Sequence, residues 1–348
     1  MEQYFRIFLD GYKNYGGYLW REITQPGWHN YFYWLLGVSA FFLILEWIKP
    51  WRKEQPKFRK DFWLDFFYMF FNFFIFSLII YNAASDVVVN LFNNLLGIIG
   101  IKNLLAINVG LLPVWTHLLI GFVLRDFIQW WIHRLLHRSD WLWQFHKVHH
   151  SVEQMGFAAH LRYHWMENVV YRTIEYIPLA MIGIGLNDFF VIHIFSLAIG
   201  HYNHSNISVS GYVTGGILGL LLGIVIALRA FEVHLLPENA TIIQMILTVL
   251  ASVLVGTLLF GRWMKFVFNH PEMHIWHHAY HLPENRRYGV NFGLSLSIWD
   301  YLFGTVYMPY NGRDIQLGFE GVTEFPHTFL EQNLYGVIPV ASEHPSKN

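Results

Sequence analysis

The sequence predicts an all-α protein: a polytopic integral membrane bundle of helices with a histidine-rich cap on one side. Three observations support this fold class. The 348 residues are 54% hydrophobic and only 14% charged, whereas soluble domains are usually about 25% charged. Several apolar runs reach the roughly 20 residues that a helix needs to cross a bilayer. The 20 histidines are concentrated in a few short segments close to the ends of those runs.

The apolar runs predict the membrane segments. In chain order these are 31–48, 62–81, 111–133, a region at 168–203, and a pair at about 211–231 and 241–263. The region 168–203 is interrupted by Pro178, Gly183 and Gly185, which predicts a helical hairpin rather than a single span. The Asn-rich stretch 85–109 is only moderately apolar and is typical of an interfacial segment.

The same pattern divides the chain into three regions. Residues 1–30 are an N-terminal segment, interfacial or extracytosolic, and residues 31–308 form the membrane-embedded domain. Residues 309–348 are a C-terminal tail. Within the domain, about 209–263 reads as an inserted transmembrane hairpin. Its stretch "GGILGLLLG" is typical of a helix-packing surface of small residues, not of a phosphate-binding loop.

Basic residues predict the orientation in the membrane. The loop 49–61 carries six Lys and Arg residues, so the positive-inside rule places it in the cytosol. The next span then leaves the cytosol and the span 111–133 returns to it. Both hairpins enter and leave on that same side. Every histidine-rich segment is therefore expected at the cytosolic surface, although no histidine was used to set the topology.

The histidines recur at helical spacing. Seven lie between positions 133 and 164, and five lie between 270 and 281. His133 and His137 are four residues apart, which puts both rings on one face of a helix. The groups "HKVHH" (146–150) and "HIWHH" (274–278) each repeat a spacing of three and four residues. One such pair alone is more typical of a solvated surface helix, but this many pairs on one side indicate a metal site.

The number of candidate ligands predicts a dinuclear centre. The chain has no cysteine, so any metal must be held by nitrogen and oxygen ligands. Imidazole nitrogen suits Fe, Zn, Cu and Ni. Eight to ten histidines are too many for one ion, which makes the cytosolic surface a histidine-rich di-metal cap.

These motifs carry a family resemblance. The boxes "HRLLH", "HKVHH" and "HIWHH", followed by "RRYGVNFGLSLSIWDYLFGT", closely resemble the fatty acid hydroxylase/sterol desaturase superfamily, and most closely its sterol desaturase-like branch. The resemblance covers roughly 115–308, interrupted by the inserted hairpin. It implies an integral membrane enzyme with a di-iron centre that uses O₂ to oxidise an unactivated C–H bond of a lipid, such as a sterol or a fatty acyl chain.

The resemblance also implies the metal ligands, which would be the catalytic residues. They are His133, His137, His146, His149, His150, His164, His204, His274, His277 and His278. His160 and His201 depart from the commoner histidine pattern of the family and are expected to support the ligands. His201 would itself be a ligand if the histidine motif around it is a variant of that pattern.

Carboxylates are expected to orient ligating imidazoles through the second ring nitrogen. Asp126 stands inside an apolar span, where a charge is costly, and Asp300 lies in the tail motif, so both are candidates for this role. Glu153, Glu167 and Glu272 are individually more typical of surface charges or helix caps.

The implied cofactors are two Fe and O₂, with zinc as a possible replacement in preparations. The chain has no flavin, haem or iron–sulfur motif, so electrons are expected from an external donor, either cytochrome b5-like or a ferredoxin with its reductase. The other expected partner is a membrane lipid, and the net charge of −1 does not suggest nucleic acid. The expected location is the bacterial inner membrane, with the endoplasmic reticulum as the alternative and the active site facing the cytosol.

Other functions stay open at the level of the sequence. A His-rich membrane metal transporter or sensor would need a polar path through the spans, and the sequence offers only His117, Asp126 and His193 there. A bis-histidine haem carrier would place its ligands in mid-membrane instead of at the boundary. Hydroxylation and desaturation begin with the same hydrogen abstraction, so the histidines do not separate them. The lipid, the carbon attacked and the oligomeric state are also open.

Overall fold

The computed structural model describes residues 2–75, 107–207, 210–232 and 242–337, together with Asn94, Gly97 and Ile98. This part of the chain is all-α, with three isolated β-bridges and no strand. The helices are α1 Glu2–Thr24, α2 Tyr31–Ile48, α3 Phe62–Phe70, α4 Val114–Arg138, α5 Asp140–His150, α6 Trp165–Met181, α7 Leu186–His204, α8 Gly211–Glu232, α9 Ile242–Val255, α10 Met264–Val267, α11 Pro271–His277, α12 Ile298–Leu302 and α13 Phe329–Leu334.

The apolar runs coincide with helices. Helix α2 begins and ends with the run 31–48, while α3 and a π-helical turn at Phe71–Ile75 cover the first part of the run 62–81. The end of that run and most of 85–109 lie outside the described residues. Within the described ranges, two helical segments are long and apolar enough to cross a membrane, Tyr31–Ile48 and Gly211–Leu228. The all-α class is confirmed, and the full multi-pass topology stays a prediction.

Helix α4 extends beyond the predicted run 111–133 and carries His133 and His137 in its last two turns. Ser139 then ends α4 and begins α5, because its side chain accepts a hydrogen bond from the backbone N–H of Leu142. This N-cap satisfies one of the free donors of the new helix. With a single residue between the two helices, the histidines of α4 and α5 face a common space.

The region 168–203 forms the predicted helical hairpin, made of α6 and α7. Pro178 does not break it, because α6 continues to Met181. The turn falls instead at the glycines, where Gly183 has a φ of +77°, a conformation that favours glycine. Helix α7 then runs back to place His204 at its C-terminal end.

The inserted region forms a tight pair of helices, α8 and α9. A Cβ added to Gly219 would collide with the backbone oxygen of Ser252, and one added to Gly215 would collide with that of Gly256. A Cβ on Gly223 would lie 2.7 Å from the Ser252 side chain. The glycine-rich stretch is thus a surface for close helix packing, as the sequence indicates.

The largest apolar core joins α2, α3, α7 and the 3₁₀ turn Phe157–Leu161, through side chains such as Phe42, Ala198 and Tyr202. This core holds the end of α7 beside α5. The described part of the C-terminal tail also packs on the bundle, since the ring of Phe329 lies 4.5 Å from that of Phe71. The domain boundary at 308 stays a prediction.

Candidate metal centre

The structure gathers nine histidines into two groups. The first is His133, His137, His146, His150 and His277, and the second is His149, His204, His274 and His278. Within each group, one nitrogen from every ring lies within 4.8 Å of all the others. All nine were predicted as ligands, and they come from four separate stretches of the chain.

Helical spacing explains how each stretch contributes. On α5, His146 and His150 are four residues apart and face the first group, whereas His149 points to the second. Helix α11 is shared in the same way, with His277 in the first group and His274 in the second. Successive residues on a helix are about 100° apart, so one short helix can serve two adjacent sites.

The nitrogen–nitrogen distances match those of metal ligands. The Nε2 atoms of His133 and His146 are 3.2 Å apart, and those of His204 and His274 are 3.0 Å apart. Imidazole–metal bonds of about 2.1 Å put neighbouring ligand nitrogens about 3 Å from each other. The rings therefore already converge as they would around an ion.

The two groups are in direct contact. The rings of His150 and His278, one from each group, lie 4.4 Å apart. His146 and His149 lie 5.3 Å apart across the same boundary. Ions held by the two groups would be neighbours, as a dinuclear centre requires.

Five of the rings are oriented by an oxygen acceptor on Nδ1. Four of them donate to backbone carbonyl oxygens: His133 to Phe292, His149 to Arg162, His204 to Gly200 and His277 to Val290, at 2.7–3.1 Å. The fifth, His146, donates to the carboxyl group of Glu167 at 2.7 Å. An Nδ1–H held in this way leaves the lone pair of Nε2 free for a metal. Glu167 is the only side-chain carboxyl group among these five acceptors.

Burial keeps these rings neutral, which metal binding requires. Because charged imidazolium is desolvated here, burial lowers the pKa of His149 to about 3. Burial also lowers the pKa values of His146, His150, His277 and His278 well below 6.5. The His137 Nε2 and His278 Nδ1 atoms are buried without a hydrogen bond to any described residue. Neutral, convergent and partly unpartnered nitrogens fit a bound metal.

His164 is placed differently from its prediction as a ligand. Its Nε2 lies 2.8 Å from the carbonyl oxygen of Asn333, and its Nδ1 accepts from the backbone N–H of Met166. The ring is thus the N-cap of α6 and an anchor for the C-terminal tail. With both nitrogens engaged, His164 belongs to neither group, and we leave it out of the ligand set.

His160 and His201 lie beside the second group without joining it. Their Nδ1 atoms are 3.0 Å apart, and the Nε2 of His201 is 3.0 Å from the hydroxyl of Ser39. The His160 ring is 5.2 Å from that of His204. This arrangement matches the expected supporting role more closely than a ligand role.

The two predicted carboxylates act on the backbone that follows α11. Asp126 accepts from the N–H groups of Ser295 and Leu296 and from the indole of Trp299. Asp300 accepts from the N–H of Phe292, whose carbonyl in turn accepts from His133. Both carboxyl groups therefore fix the loop that follows α11. Only Asp300 is linked to a candidate ligand, because the backbone of Phe292 connects it to His133. Among the described residues, neither shares a hydrogen bond with a histidine.

Glu167 orients a candidate ligand, His146. The sequence pattern had instead favoured a surface charge or a helix cap at this position. Glu167 is 3% exposed, whereas Glu153 and Glu272 form ion pairs with Lys60 and Lys265 nearer the surface. The partner of Glu167, His146, lies on another helix, so no local pattern marks the pair.

Next to the histidines lies a cavity of about 170 Å³. His133, His146 and His149 line one part of it, and Arg125 and Glu175 line another. Sequence reasoning missed these last two residues. The signal was available, because a charged residue inside an apolar run is costly and usually functional. A space that reaches both histidine groups can admit the part of a substrate that reacts.

The comparisons with known proteins agree with this site. The fatty acid hydroxylase family model matches residues 118–220 and 210–305, together more than half of the chain. The ornithine lipid hydroxylase OlsE of Rhizobium tropici is 24% identical over 209 residues, which are 60% of this chain and 47% of that protein. The chain thus spans about half of the length of this curated relative. No solved structure matches. Because the family match covers all nine clustered histidines, the chain belongs to the fatty acid hydroxylase family.

Proposed function

We propose that the protein is an O₂-dependent hydroxylase of a membrane lipid, with a di-iron centre held by the nine clustered histidines. The observation that carries this proposal is the pair of touching, all-imidazole groups in a chain of this family. Imidazole nitrogens bind Fe, Zn, Cu and Ni, so the two groups permit iron, which the family resemblance implies. Zinc is expected as a replacement in some preparations.

The chain's own residues prepare the site. The five-histidine and four-histidine groups would hold the two ions, and the acceptors on Nδ1 fix the ring orientations. Glu167 keeps the proton of His146 on Nδ1, so that Nε2 faces the metal. Bound iron would supply the activation of O₂ and the oxidising power needed to attack an unactivated C–H bond, which side chains lack. The cavity beside the histidines would receive the reacting part of the lipid.

Hydroxylation is favoured over desaturation by the comparisons. The family description and the printed name of the relative both refer to hydroxylation. The relative acts on an ornithine lipid, and a polar lipid is therefore a better first substrate to test than a sterol. Electrons are expected from a separate donor, cytochrome b5-like or a ferredoxin with its reductase.

The proposed location is a membrane, with several helices crossing it. Helices α2 and α8 supply the two segments that meet the length and hydropathy of a span. By the positive-inside rule, the basic loop 49–61 supports a cytosolic location of the histidines. The bacterial inner membrane remains the preferred compartment.

Metal analysis with ligand variants tests the proposal. Protein purified from iron-supplied, anaerobic cells is expected to hold about two irons per chain. His149→Ala combined with His277→Ala removes one ligand from each group and should abolish most of the iron. His281→Ala, which alters an exposed histidine close to the same motif, is the matched control and should keep it.

Lipid mass spectrometry of cells with and without the gene then tests the activity. A lipid that gains one oxygen only when the intact gene is present supports hydroxylation. A loss of two hydrogens would instead indicate desaturation. Unchanged lipids together with altered metal uptake would contradict the proposal and favour a transporter.

A further inference from the structure

Four arginines gather on the surface that covers the five-histidine group. They are Arg134 and Arg138 at the end of α4 and Arg286 and Arg287 in the loop that follows α11. The ring of Tyr288 joins the two segments, because the guanidinium carbon of Arg138 lies 5.7 Å from its centroid and that of Arg287 lies 4.6 Å from it. We call these four arginines and Tyr288 the arginine surface.

Two of the arginines hold this surface in place. The guanidinium carbon of Arg134 lies 5.2 Å from the ring centroid of Trp130 and 5.3 Å from that of Trp131. Arg286 donates to the carbonyl oxygen of Gly304 at 2.6 Å. Both arginines are half-buried. Cation–π contacts and a hydrogen bond to backbone thus give the arginine surface a fixed base.

The other two arginines, Arg138 and Arg287, are exposed. Among the residues that the structure describes, none of the four forms an ion pair with a carboxylate. The exposed acids of the same two segments are Asp140 and Glu284, so two carboxylates stand against four guanidinium groups. Asp300 lies nearby, but it is buried and accepts hydrogen bonds from the backbone and an indole. An exposed surplus of positive charge attracts an acidic partner.

The arginine surface also lies directly over candidate ligands. A Cβ added to Gly289 would be 2.9 Å from the Nδ1 of His137, so the backbone that follows Tyr288 rests on that ring. The next carbonyl oxygen, that of Val290, accepts from the Nδ1 of His277 at 2.7 Å. His137 is the only one of the nine clustered histidines that is partly exposed. One layer of backbone would thus separate a partner on this surface from the five-histidine group.

The proposed reaction needs a partner at such a place. Hydroxylation puts one atom of O₂ into the C–H bond and reduces the other atom to water, which consumes two electrons and two protons. The electrons are expected from a separate donor protein, which has to bring its own redox group close to the histidines.

An anionic lipid headgroup is the other partner that suits exposed arginines. Two observations favour a protein. Arg138 lies five residues beyond the predicted span 111–133, which is about 7.5 Å further along the helix axis. A headgroup site also has no need to lie over His137 and His277, whereas an electron donor does. Arginine and tyrosine are, in addition, enriched in protein–protein interfaces.

We propose that the arginine surface is the docking site of an acidic one-electron donor protein, which delivers its electrons across the backbone of residues 288–290. The inference rests on the proposed hydroxylase function and names its partner. Arg138 and Arg287 would make the attractive contacts, while Arg134 and Arg286 keep the surface in shape. The complex would be short-lived, as is usual for electron-transfer complexes with small interfaces.

Surface plasmon resonance measures this docking apart from turnover. The full chain is immobilised in neutral detergent. The probes are the soluble haem domain of a cytochrome b5, an acidic plant-type ferredoxin and, as a basic one-electron protein, cytochrome c. At least one of the two acidic proteins is expected to bind, and cytochrome c is not. Raising the salt from about 0.01 M to about 1 M shortens the Debye length from about 30 Å to about 3 Å and should abolish the binding.

Charge-neutralising variants locate the docking site. Arg138→Gln combined with Arg287→Gln removes two exposed charges and should weaken the binding of the acidic donor about tenfold at low salt, the effect of two exposed ion pairs. Lys53→Gln combined with Lys57→Gln removes as much charge from exposed lysines of the loop 49–61. This matched control should leave the affinity unchanged. Both variants should unfold at the same temperature as the unaltered protein, because all four side chains are exposed.

The outcomes separate the docking site from the proposed reaction. If neither acidic protein binds more tightly than cytochrome c, or if both double variants bind equally, the arginine surface is not the docking site. Binding of short-chain phosphatidylglycerol, but of no acidic protein, that is lost in the arginine variant would reassign the surface to lipid headgroups. Donor binding that depends on Arg138 and Arg287, in a protein that forms no hydroxylated lipid, would support the docking site and contradict the reaction.

Discussion

Glu167 has a role that a single conservative change can test. Its carboxylate accepts from the Nδ1 of His146 at 2.7 Å and is almost fully buried. Glu167→Gln keeps the size of the side chain but replaces the carboxyl group with an amide. Since partners of metal-ligating histidines contribute to metal affinity, iron affinity should fall about 10- to 100-fold. Competition with a graded series of chelators measures that fall.

The control for this change is Glu153→Gln. Glu153 is also an acid near the histidine boxes, but it pairs with Lys60 at a partly exposed position. A surface ion pair contributes little, so iron affinity should be unchanged. Equal iron retention in both variants would mean that Glu167 does not tune the centre.

At the scale of residues, the sequence predicted which histidines share a helix face, and the structure brings nine of the ten together. What it could not predict is the partner of each ring, since that partner comes from a distant segment. His164 has the right spacing from His160, yet Asn333, far along the chain, engages its Nε2. Asp126 stood out correctly as a buried charge, but its partners are the backbone N–H groups at 295 and 296. Local spacing carries no information about such contacts.

Among the elements, the α8–α9 pair offers a direct test of close packing. A methyl group at Gly219 would collide with the backbone at Ser252, and backbone cannot move aside as a flexible side chain can. Gly219→Ala should therefore destabilise the protein by about 1–3 kcal/mol through overpacking. The midpoint of thermal unfolding in detergent reports this change.

A matched glycine is available in α2. Gly37 is also within a helix, and an added Cβ there would have no atom within 4 Å. Gly37→Ala should be neutral or slightly stabilising, because alanine favours helix over glycine by up to about 1 kcal/mol. If the two variants unfold at the same temperature, the glycine stripe does not serve close packing. Iron content should be unaffected in both, since neither glycine borders the histidines.

Helices were predicted well where apolar runs have clear ends, and less well where a single residue was taken as a break. The run 31–48 coincides with α2. Pro178, in contrast, lies inside α6, and the chain turns only at the Ile182–Gly185 segment that follows. A proline removes one hydrogen bond but does not by itself set the end of a helix when packing on both sides supports it. Glycine at positive φ is the stronger signal in this hairpin.

On the scale of the whole molecule, the site depends on segments that only the complete fold brings together. His133 and His278 are separated by about half of the domain, and the ends of α4, α5 and α7 meet α11 around one space. The sequence predicted that these segments share a side of a membrane. It could not predict that they divide into groups of five and four, because that division depends on how the helices are rotated.

Gathering nine histidines in the interior has a consequence for the metal-free protein. In the unfolded chain a histidine has a pKa of about 6.5. Burial in the fold lowers the pKa of His149 to about 3 and lowers those of His146, His150 and His274 well below 6.5. Between the two pKa values, the unfolded chain binds protons that the folded chain does not. Acid therefore stabilises the unfolded state, and each such ring costs about 1.4 kcal/mol per pH unit.

Buried acids such as Glu167, whose pKa burial raises to about 8, act in the opposite direction but are fewer than the histidines. The metal-free protein should consequently lose stability as the pH falls below about 6.5. Thermal unfolding of chelator-treated protein at pH 8, 7, 6 and 5 measures this dependence. Replacing His149 and His277 with glutamine, which cannot take up the proton, should make the decline shallower. Bound iron, which binds the folded state, should raise the whole curve. A metal-free protein whose stability stayed level down to pH 5 would show that the histidines are not buried together as neutral rings.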